Sequence, residues 1–272
     1  MTIDQVDQVT FEEDWRAWRD GRDKALGDPH GFLAVTAIHW LDGAPARFDD
    51  VPGAWATGGH GVSVDLAEGE SLVVDGATVK GHYDFGVIAE RASITATFGD
   101  AVVEVAKRGG RDIVRPRHPS HDLVQRYAGT PTYGPDPQWV VSGRFEPFDP
   151  PRAVSVNAAI AGLEHVYDAP GRIAFELRGQ THYLTAFSTE TPGSLFILFK
   201  DATSGVTTYA ASRTLSVTAP DEEGRVVLDF NRAANLPCAY TDHATCPLAP
   251  RENTLPVAVE AGEQTPYERH GV

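Results

Sequence analysis

Short stretches of alternating apolar and polar residues, separated by glycine-containing turns, recur along most of this chain. Val62, Val64 and Leu66 alternate with polar residues, and Ile173 to Leu177 repeats the pattern. Alternation with a period of two is typical of strands that bury one face. The dipeptide Asp75-Gly76, which follows another apolar stretch, is typical of a tight hairpin turn. The sequence therefore predicts a mostly antiparallel β protein, built as a sandwich or as a barrel.

One segment near the start has a helical period instead. Phe11, Trp15 and Trp18 recur at helical spacing and therefore share one face of a helix. We expect a leading amphipathic helix that docks on a sheet through these aromatic side chains. Thr10 and Glu13 have the spacing of a capping box, which predicts that the helix begins at Thr10.

Residues 145–152 contain three prolines and mark the best boundary between two halves of the chain. Proline lacks the backbone N–H that a strand ladder needs, so a break in the sheet is expected there. The first predicted half is 1–149, a helix followed by a β-rich region. The second is 150–272, a β-rich region with a long closing loop, and a single compact unit is the alternative.

The charge balance excludes several classes of partner. Lysine and arginine number 23 against 38 aspartates and glutamates, for a net charge of −15. Such a chain repels nucleic acid and anionic lipid, so neither nucleic acid nor a membrane is expected as a partner. The acidic first seven residues carry no apolar signal segment, which indicates the cytosol. The oligomeric state stays open, with a homodimer among the alternatives.

The stretch from Leu228 to Glu263 is the most informative part of the sequence. Its prolines are Pro237, Pro247, Pro250 and Pro256. They preclude an ordinary helix or a central strand over most of the stretch, so it must be a long irregular connection. Long ordered loops are more often functional than short ones.

This stretch also resembles the end of a known family, which closes with the pattern LDFN-x-A-x-N-x-PCA, then CPL-x-P, EN-x-L and AGE. The matching segments begin at Leu228, Cys246, Glu252 and Ala261, with upstream matches at Asp201 to Gly205, Thr208-Tyr209 and Arg213, and early ones at Trp15, Arg19 and His39 to Leu41. Over nearly its whole length the sequence is similar to the bacterial and archaeal family called domain of unknown function 1684. The resemblance implies no catalytic residues, because the activity of that family is unassigned.

Six polar residues in and before the closing stretch are candidates for a ligand site. They are Asp201, Tyr209, Arg213, Asp229, Asn231 and Asn235. The expected hairpin order brings their strands together, and a guanidinium beside amides suits a small polar or anionic ligand. In this interpretation Arg213 holds the charged group, while the Tyr209 hydroxyl and the two asparagine amides orient it. The structural alternative is a buried ion pair, such as Asp229 with Arg213.

Cys238 and Cys246, the two cysteines of the chain, admit four interpretations. Three are a disulfide, a metal site completed by Asp242 and His243, and a catalytic thiol paired with His243. The fourth, that both are small buried side chains anchoring the loop, is favoured. A reducing cytosol opposes a disulfide, and the spacing is not a usual zinc pattern, so neither a metal nor a cofactor is predicted.

The basic run that contains Arg111, Arg115 and Arg117 is the one cationic cluster of the sequence. The three arginines have the same strand parity and could form an anion-binding face. A solvated hairpin whose arginines pair with surplus carboxylates is the favoured alternative.

Three functions stay open. The first is binding of a small polar or anionic metabolite in a pocket at one end of the β structure. The second is an enzyme of unknown reaction, hydrolase-like, with Asp229 or His243 as general base and Cys238 as nucleophile. The third is a structural or interaction module. The chain has no Walker A loop, dinucleotide-binding glycine turn or Gly-x-Ser-x-Gly elbow, which disfavours nucleotide-driven chemistry and the common serine-hydrolase fold.

Overall fold

The computed structural model describes residues 8–269 and confirms the predicted class, a mostly antiparallel β protein with one long helix at its start. The first seven residues, on which the prediction about a signal segment rests, lie outside the described residues. Within the described part, no helix has the length and apolar character needed to cross a membrane. Unit 1 comprises residues 8–23, 129–240 and 245–269, and unit 2 comprises residues 24–128 and 241–244.

Helix α1, Gln8–Leu26, begins before Thr10, so the predicted start at the capping box is wrong. Trp15 and Trp18 are half-buried, as their shared face predicted. The indole Nε1 of Trp15 donates to the carbonyl oxygen of Asn231 at 3.1 Å. Trp15 thus contacts a turn, although a sheet was expected. The carbonyl oxygens of a turn are open to a side-chain donor, whereas those within a sheet are already paired in the ladder.

Unit 2 contains two antiparallel sheets that share one core. Its strands are β1 His39–Trp40, β2 Ala46–Phe48, β3 Val51–Gly58, β4 Gly61–Asp65, β5 Leu72–Val74, β6 Ala77–Val79, β7 His82–Gly86, β8 Ser93–Phe98, β9 Ala101–Arg108 and β10 Arg111–Arg117, followed by the short helix α2, Asp122–Arg126. One sheet has the order β1-β10-β9-β8-β5-β6 and the other β2-β3-β4-β7. Trp55 and Val64 of the second sheet lie in one buried cluster with Val103 and Val105 of the first. Unit 2 thus matches the sandwich alternative, and none of the sheets in residues 8–269 closes into a barrel.

Unit 1 contains one seven-stranded antiparallel sheet. Its strands are β11 Val140–Asn157, β12 Glu164–Leu177, β13 Gln180–Ser188, β14 Leu195–Phe199, β15 Arg213–Val217, β16 Arg225–Asp229 and β17 Ala234–Asn235. They are ordered β16-β11-β12-β13-β14-β15-β17. Ile173, Leu184 and Ile197 of this sheet share a buried cluster with Leu255 and Val259 of the C-terminal loop. The long closing loop is therefore ordered, as predicted, and covers part of the sheet.

The proline-rich stretch 145–152 lies inside β11, although a boundary was expected there. β11 pairs with β12 on both sides of the prolines, and the register shifts between Pro147 and Arg152. An irregularity of this kind lets a strand carry residues that cannot donate to the ladder and continue beyond them. The chain passes between the two compact units after residues 23, 128, 240 and 244.

Candidate functional site

A cavity of about 790 Å³ lies in unit 1 beside the turn that follows β14. It is lined by the turn from Gly205 to Ala210, by Pro131, and by Gln264, Thr265 and Arg269. Among these lining residues, Arg269 is the one that carries a charge. The cavity is thus formed by three segments of the chain, and its polar groups are hydroxyls, amides and a single guanidinium.

Tyr209 is the predicted ligand residue that the structure places at this cavity. The turn before it is organised by Asp201, whose Oδ1 accepts hydrogen bonds from N and Oγ1 of Thr203 at 2.8 and 2.6 Å. Oγ1 of Thr203 in turn lies 2.9 Å from Oγ1 of Thr208 in the cavity wall. Asp201 therefore shapes the wall through these two threonines and is itself buried.

Arg213, predicted to hold the charged group of a ligand, is only 1% exposed. Its Nη2 lies 2.7 Å from Oδ2 of Asp201 and 3.0 Å from the carbonyl oxygen of Val259. Its Nη1 donates to the carbonyl oxygen of Ala261. The guanidinium thus belongs to a closed interior in which it fastens β15 to the C-terminal loop, and it offers no surface to a ligand.

The buried ion pair that was the alternative for Arg213 exists, but with a different carboxylate. Arg213 pairs in register with Phe199 at the end of β14, and Asp201 follows two residues later. Asp229 ends β16, which pairs with β11. The predicted pair of Asp229 with Arg213 is therefore wrong. Asp201 follows β14, the strand next to β15, and its carboxylate is the one that pairs with the Arg213 guanidinium.

Asp229 and Asn231 brace one turn instead of facing a ligand. Oδ1 of Asp229 accepts from the backbone N and from Nδ2 of Asn231 at 3.1 and 2.9 Å. Oδ2 of Asp229 lies 3.1 Å from Nε of Arg232. The Asn231 amide also exchanges two hydrogen bonds with the backbone of Asp136, at 2.9 and 3.0 Å. Both carboxylate oxygens of Asp229, a predicted general base, are thus engaged within this turn.

Asn235 leads to a residue that sequence reasoning missed, the fully buried Glu263. Nδ2 of Asn235 donates to the carbonyl oxygen of Gln264 at 2.8 Å, and its backbone N donates to Oε2 of Glu263 at 2.6 Å. Arg22 of α1 donates to both carboxylate oxygens of Glu263, and Nη1 of Arg19 lies 3.6 Å from Oε1. Two features of the sequence could have indicated this contact. Arg19 and Arg22 share one side of the helix, and Glu263 lies in the closing motif.

Cys238 and Cys246 are free and buried, which matches the favoured interpretation. The backbone N–H of Cys238 points to Sγ of Cys246 at 3.2 Å. The hydrogen bond from the Cys246 thiol lowers the pKa of Cys238, burial opposes this shift, and the charge of Arg269 adds to it. Nη2 of Arg269 donates to the carbonyl oxygen of Cys238 at 3.3 Å, so the thiol pair and the cavity share this arginine.

His243, the other predicted catalytic residue, belongs to unit 2, where both carboxylates and imidazoles act on it. Burial lowers the pKa of His243, and the imidazoles of His121 and His39 act in the same direction, while the charges of Asp242 and Asp50 oppose the shift. In the same unit, Nε2 of His39 lies 2.7 Å from Oδ1 of Asp50. Thr36 donates to Oδ2 of Asp50 at 2.7 Å. The sequence did not single out this histidine–aspartate pair, although His39 was part of the family resemblance.

The basic run of unit 2 pairs largely with one carboxylate, that of Glu104. Nη2 of Arg115 and Nη2 of Arg108 each lie 2.8 Å from a Glu104 oxygen, and Arg117 donates to it as well. Burial alone would raise the pKa of Glu104, but the charges of Arg115 and Arg117 outweigh it and the pKa is lowered. The pairing with carboxylates was predicted, but the site is buried and not solvated.

No metal centre is formed by the residues that the structure describes. Among residues 8–269, no group of three or more histidine, cysteine, aspartate or glutamate side chains has an arrangement that could hold an ion. This applies to Cys238 and Cys246 with their intervening residues, and equally to the histidines near Asp50. The cavity beside Tyr209 therefore remains the candidate site for a small molecule.

The fold and the site together define a mostly antiparallel β protein whose C-terminal loop lines a cavity of ligand size. The chain belongs to the family described as protein of unknown function (DUF1684), whose model matches residues 125–264. This match confirms the resemblance seen in the closing motif. It includes the cavity turn and Gln264, while Thr265 and Arg269 lie just beyond it.

The chain is similar to an uncharacterized protein of Haloarcula marismortui whose structure was solved by solution NMR. The two sequences are 31% identical over a match that covers 52% of this chain and 78% of the Haloarcula chain, with a TM-score of 0.44. No curated protein matches the chain.

Proposed function

We propose that unit 1 binds a small anionic metabolite in the cavity beside Tyr209. Ligand pockets commonly measure about 300–1,000 Å³, and the cavity volume of about 790 Å³ falls in this range. The observation that carries the proposal is the charge of the lining. Although the chain carries a net charge of −15, the lining of this cavity within residues 8–269 contains a guanidinium and no carboxylate side chain. That imbalance suits an anion.

Arg269 is the residue that we assign to the charged group of the ligand. Its Nε and Nη2 donate to the carbonyl oxygens of Ala239 and Cys238, each at 3.3 Å. These contacts orient the planar guanidinium, which is well suited to carboxylate and phosphate groups. The hydroxyl groups of Thr207, Tyr209 and Thr265 around it supply further hydrogen-bonding groups.

The proposal keeps the anionic ligand predicted from the sequence and changes the residue that holds it. Arg269 takes the role first given to Arg213, and Tyr209 retains its own. Asn231 and Asn235 support the loops without a direct part in binding. We place the protein in the cytosol, because both of its buried thiols are free.

A thermal-shift experiment tests the proposal directly. Inorganic phosphate, sulfate, small dicarboxylates and phosphate monoesters are added to the parent protein, and a ligand raises its melting temperature in proportion to the logarithm of concentration. We expect Arg269→Gln to weaken binding of the active compound by at least about tenfold, because a charge-assisted hydrogen bond contributes about 1.5–3 kcal/mol.

Arg225→Gln is the matched control, because this arginine is exposed and pairs with Asp221 and Glu223 at a turn. The control variant should bind as the parent does. If none of the compounds raises the melting temperature of the parent, or if Arg269→Gln responds as strongly as Arg225→Gln, the cavity is not an anion site. The structural alternative would then replace the proposal.

A further inference from the structure

The two cysteines of this chain lie side by side in unit 1, and they are the complete set of thiols in the sequence. Eight positions separate them, yet the backbone N–H of Cys238 lies 3.2 Å from Sγ of Cys246 and the two thiols are hydrogen-bond partners. The favoured sequence interpretation, two independent anchoring side chains, does not require this juxtaposition. A pair of adjacent thiols has a chemistry that a single buried cysteine lacks.

Both cysteines are held by backbone contacts that fix their positions. Cys238 lies in the 3₁₀ turn Pro237–Ala239, whose carbonyl oxygens accept from Arg269. The carbonyl oxygen of Cys246 accepts from the backbone N of Ala159 at 2.8 Å. Pro247, the next residue, forms a bridge with Ala158 at the end of β11. The backbone of Cys238 thus contacts the cavity residue Arg269, and the backbone at Cys246 contacts the residues that follow β11.

We propose that Cys238 and Cys246 form a redox-active dithiol that hydrogen peroxide converts into an intramolecular disulfide. The thiolate of Cys238 attacks one peroxide oxygen, the O–O bond breaks, and the leaving hydroxide takes a proton to become water. This gives a sulfenic acid on Cys238. The Cys246 sulfur then attacks the Cys238 sulfur, the S–O bond breaks, and a second water leaves with the thiol proton.

The surroundings of the pair determine which cysteine attacks first. The hydrogen bond from Cys246 and the charge of Arg269 both lower the pKa of Cys238, although burial opposes them. Thiolate character controls attack on an oxidant, so Cys238 is the attacking residue and Cys246 the resolving one. Both side chains are at least 94% buried, which excludes bulky reagents and favours a small oxidant such as peroxide.

The disulfide would close the short loop from Cys238 to Cys246, whose two ends contact Arg269 and the residues that follow β11. Closing a short loop restricts the unfolded chain and raises stability. This inference goes beyond ligand binding and does not depend on it, because it concerns the sulfur atoms and not the contents of the cavity.

The test is intact-mass spectrometry of the full-length protein after treatment with hydrogen peroxide. We expect a loss of about 2 Da, loss of both titratable thiols after denaturation, and full reversal by dithiothreitol. The melting temperature should rise by about 5 °C on oxidation and return on reduction. Peptide mapping places the link between Cys238 and Cys246 and separates it from oxidation of the single methionine.

Two variants assign the roles. Cys246→Ser should stop at a sulfenic acid on Cys238 that dimedone traps, whereas Cys238→Ser should react much more slowly. A native protein that keeps both thiols, that gains oxygen without losing hydrogen, or that forms disulfides only between molecules would overturn the proposal. These outcomes are read on the parent protein, so the test stands even if a serine variant fails to fold.

Discussion

Two buried charged residues, Arg213 and Glu263, hold the C-terminal segment of unit 1 in place. Arg213 binds the carbonyl oxygens of Val259 and Ala261, and Glu263 receives Arg22 from the helix. Gly262 stands between these contacts at φ +75°, and a Cβ there would lie 2.4 Å from the carbonyl oxygen of Ala233. The glycine lets the segment approach close enough for the carboxylate of the next residue to reach its partners.

The first residue-scale prediction concerns the charge of Glu263. Glu263→Gln leaves Arg22 and Arg19 facing a neutral amide in a buried site, and we expect the free energy of unfolding to fall by about 3 kcal/mol. Glu260→Gln is the matched control, because Glu260 is exposed and three positions away; its effect should stay within about 0.5 kcal/mol. Urea unfolding measures both, and equal stability of the two variants would contradict the assignment.

At the scale of elements, the C-terminal loop completes the sheet of unit 1. β13 and β14 pair at Phe187 with Phe196, and continuing that register would place Thr185 opposite Leu198. The side chain of Asn253 stands between these last two residues. Its Oδ1 accepts from the N of Thr185 at 2.7 Å, and its Nδ2 donates to the carbonyl oxygens of Thr185 and Leu198, each at 2.8 Å. The amide thus substitutes for a backbone pair where the two strands separate.

We expect Asn253→Ala to lower the free energy of unfolding by about 3 kcal/mol, because it leaves buried backbone groups of β13 and β14 without partners. Hydrogen exchange should also accelerate at the amide of Thr185. Asn157→Ala, at an exposed position at the end of β11, is the control and should change neither quantity. Unchanged exchange at Thr185 in the Asn253 variant would show that the side chain does not bridge the strands.

At the scale of the whole molecule, the buried ionisable groups set how stability depends on pH. The pKa of His243 is lowered from its ordinary value of 6.5 by burial. Burial would raise the pKa of Asp50 from 3.8, but hydrogen bonds from Thr36 and His39 outweigh it and lower the pKa. The pKa of Tyr240 is raised from 10.0, first by burial and then by the charge of Glu263.

These shifts predict loss of stability at both ends of the pH range. The unfolded chain binds more protons at His243 below pH about 6.5 and at Asp50 below about 4, so stability falls as the pH drops through each region. The folded chain keeps the Tyr240 proton above pH about 10, where the unfolded chain loses it, so stability also falls there. Chemical unfolding measured from about pH 2 to about pH 11 checks these changes in stability.

The histidine contribution can be isolated by substitution. His243→Gln should flatten the decline between pH 7 and pH 5.5, whereas His60→Gln, at an exposed position, should leave it unchanged. A decline as steep in the His243 variant as in the parent would assign it to another group.

Much of the fold could be predicted because its signals are local. Alternating residues and glycine turns predicted antiparallel strands, and the spacing of Trp15 and Trp18 predicted the helix. The sequence misplaced the partner of Arg213, because Asp201 and Asp229 are equally plausible until the order of the strands is known. It also passed over Glu263 and Arg269, because their roles depend on contacts with residues far away along the chain.

The sequence by itself determined the β class, the leading helix, the ordered proline-rich loop and the family, because each depends on residues that are neighbours along the chain. The tertiary structure alone decided which polar residues face a cavity and which are enclosed. Arg213 and Arg269 have the same side chain, but one is surrounded by backbone carbonyls and a buried carboxylate while the other lines open space. That difference depends on how distant segments pack, which spacing along the chain does not encode.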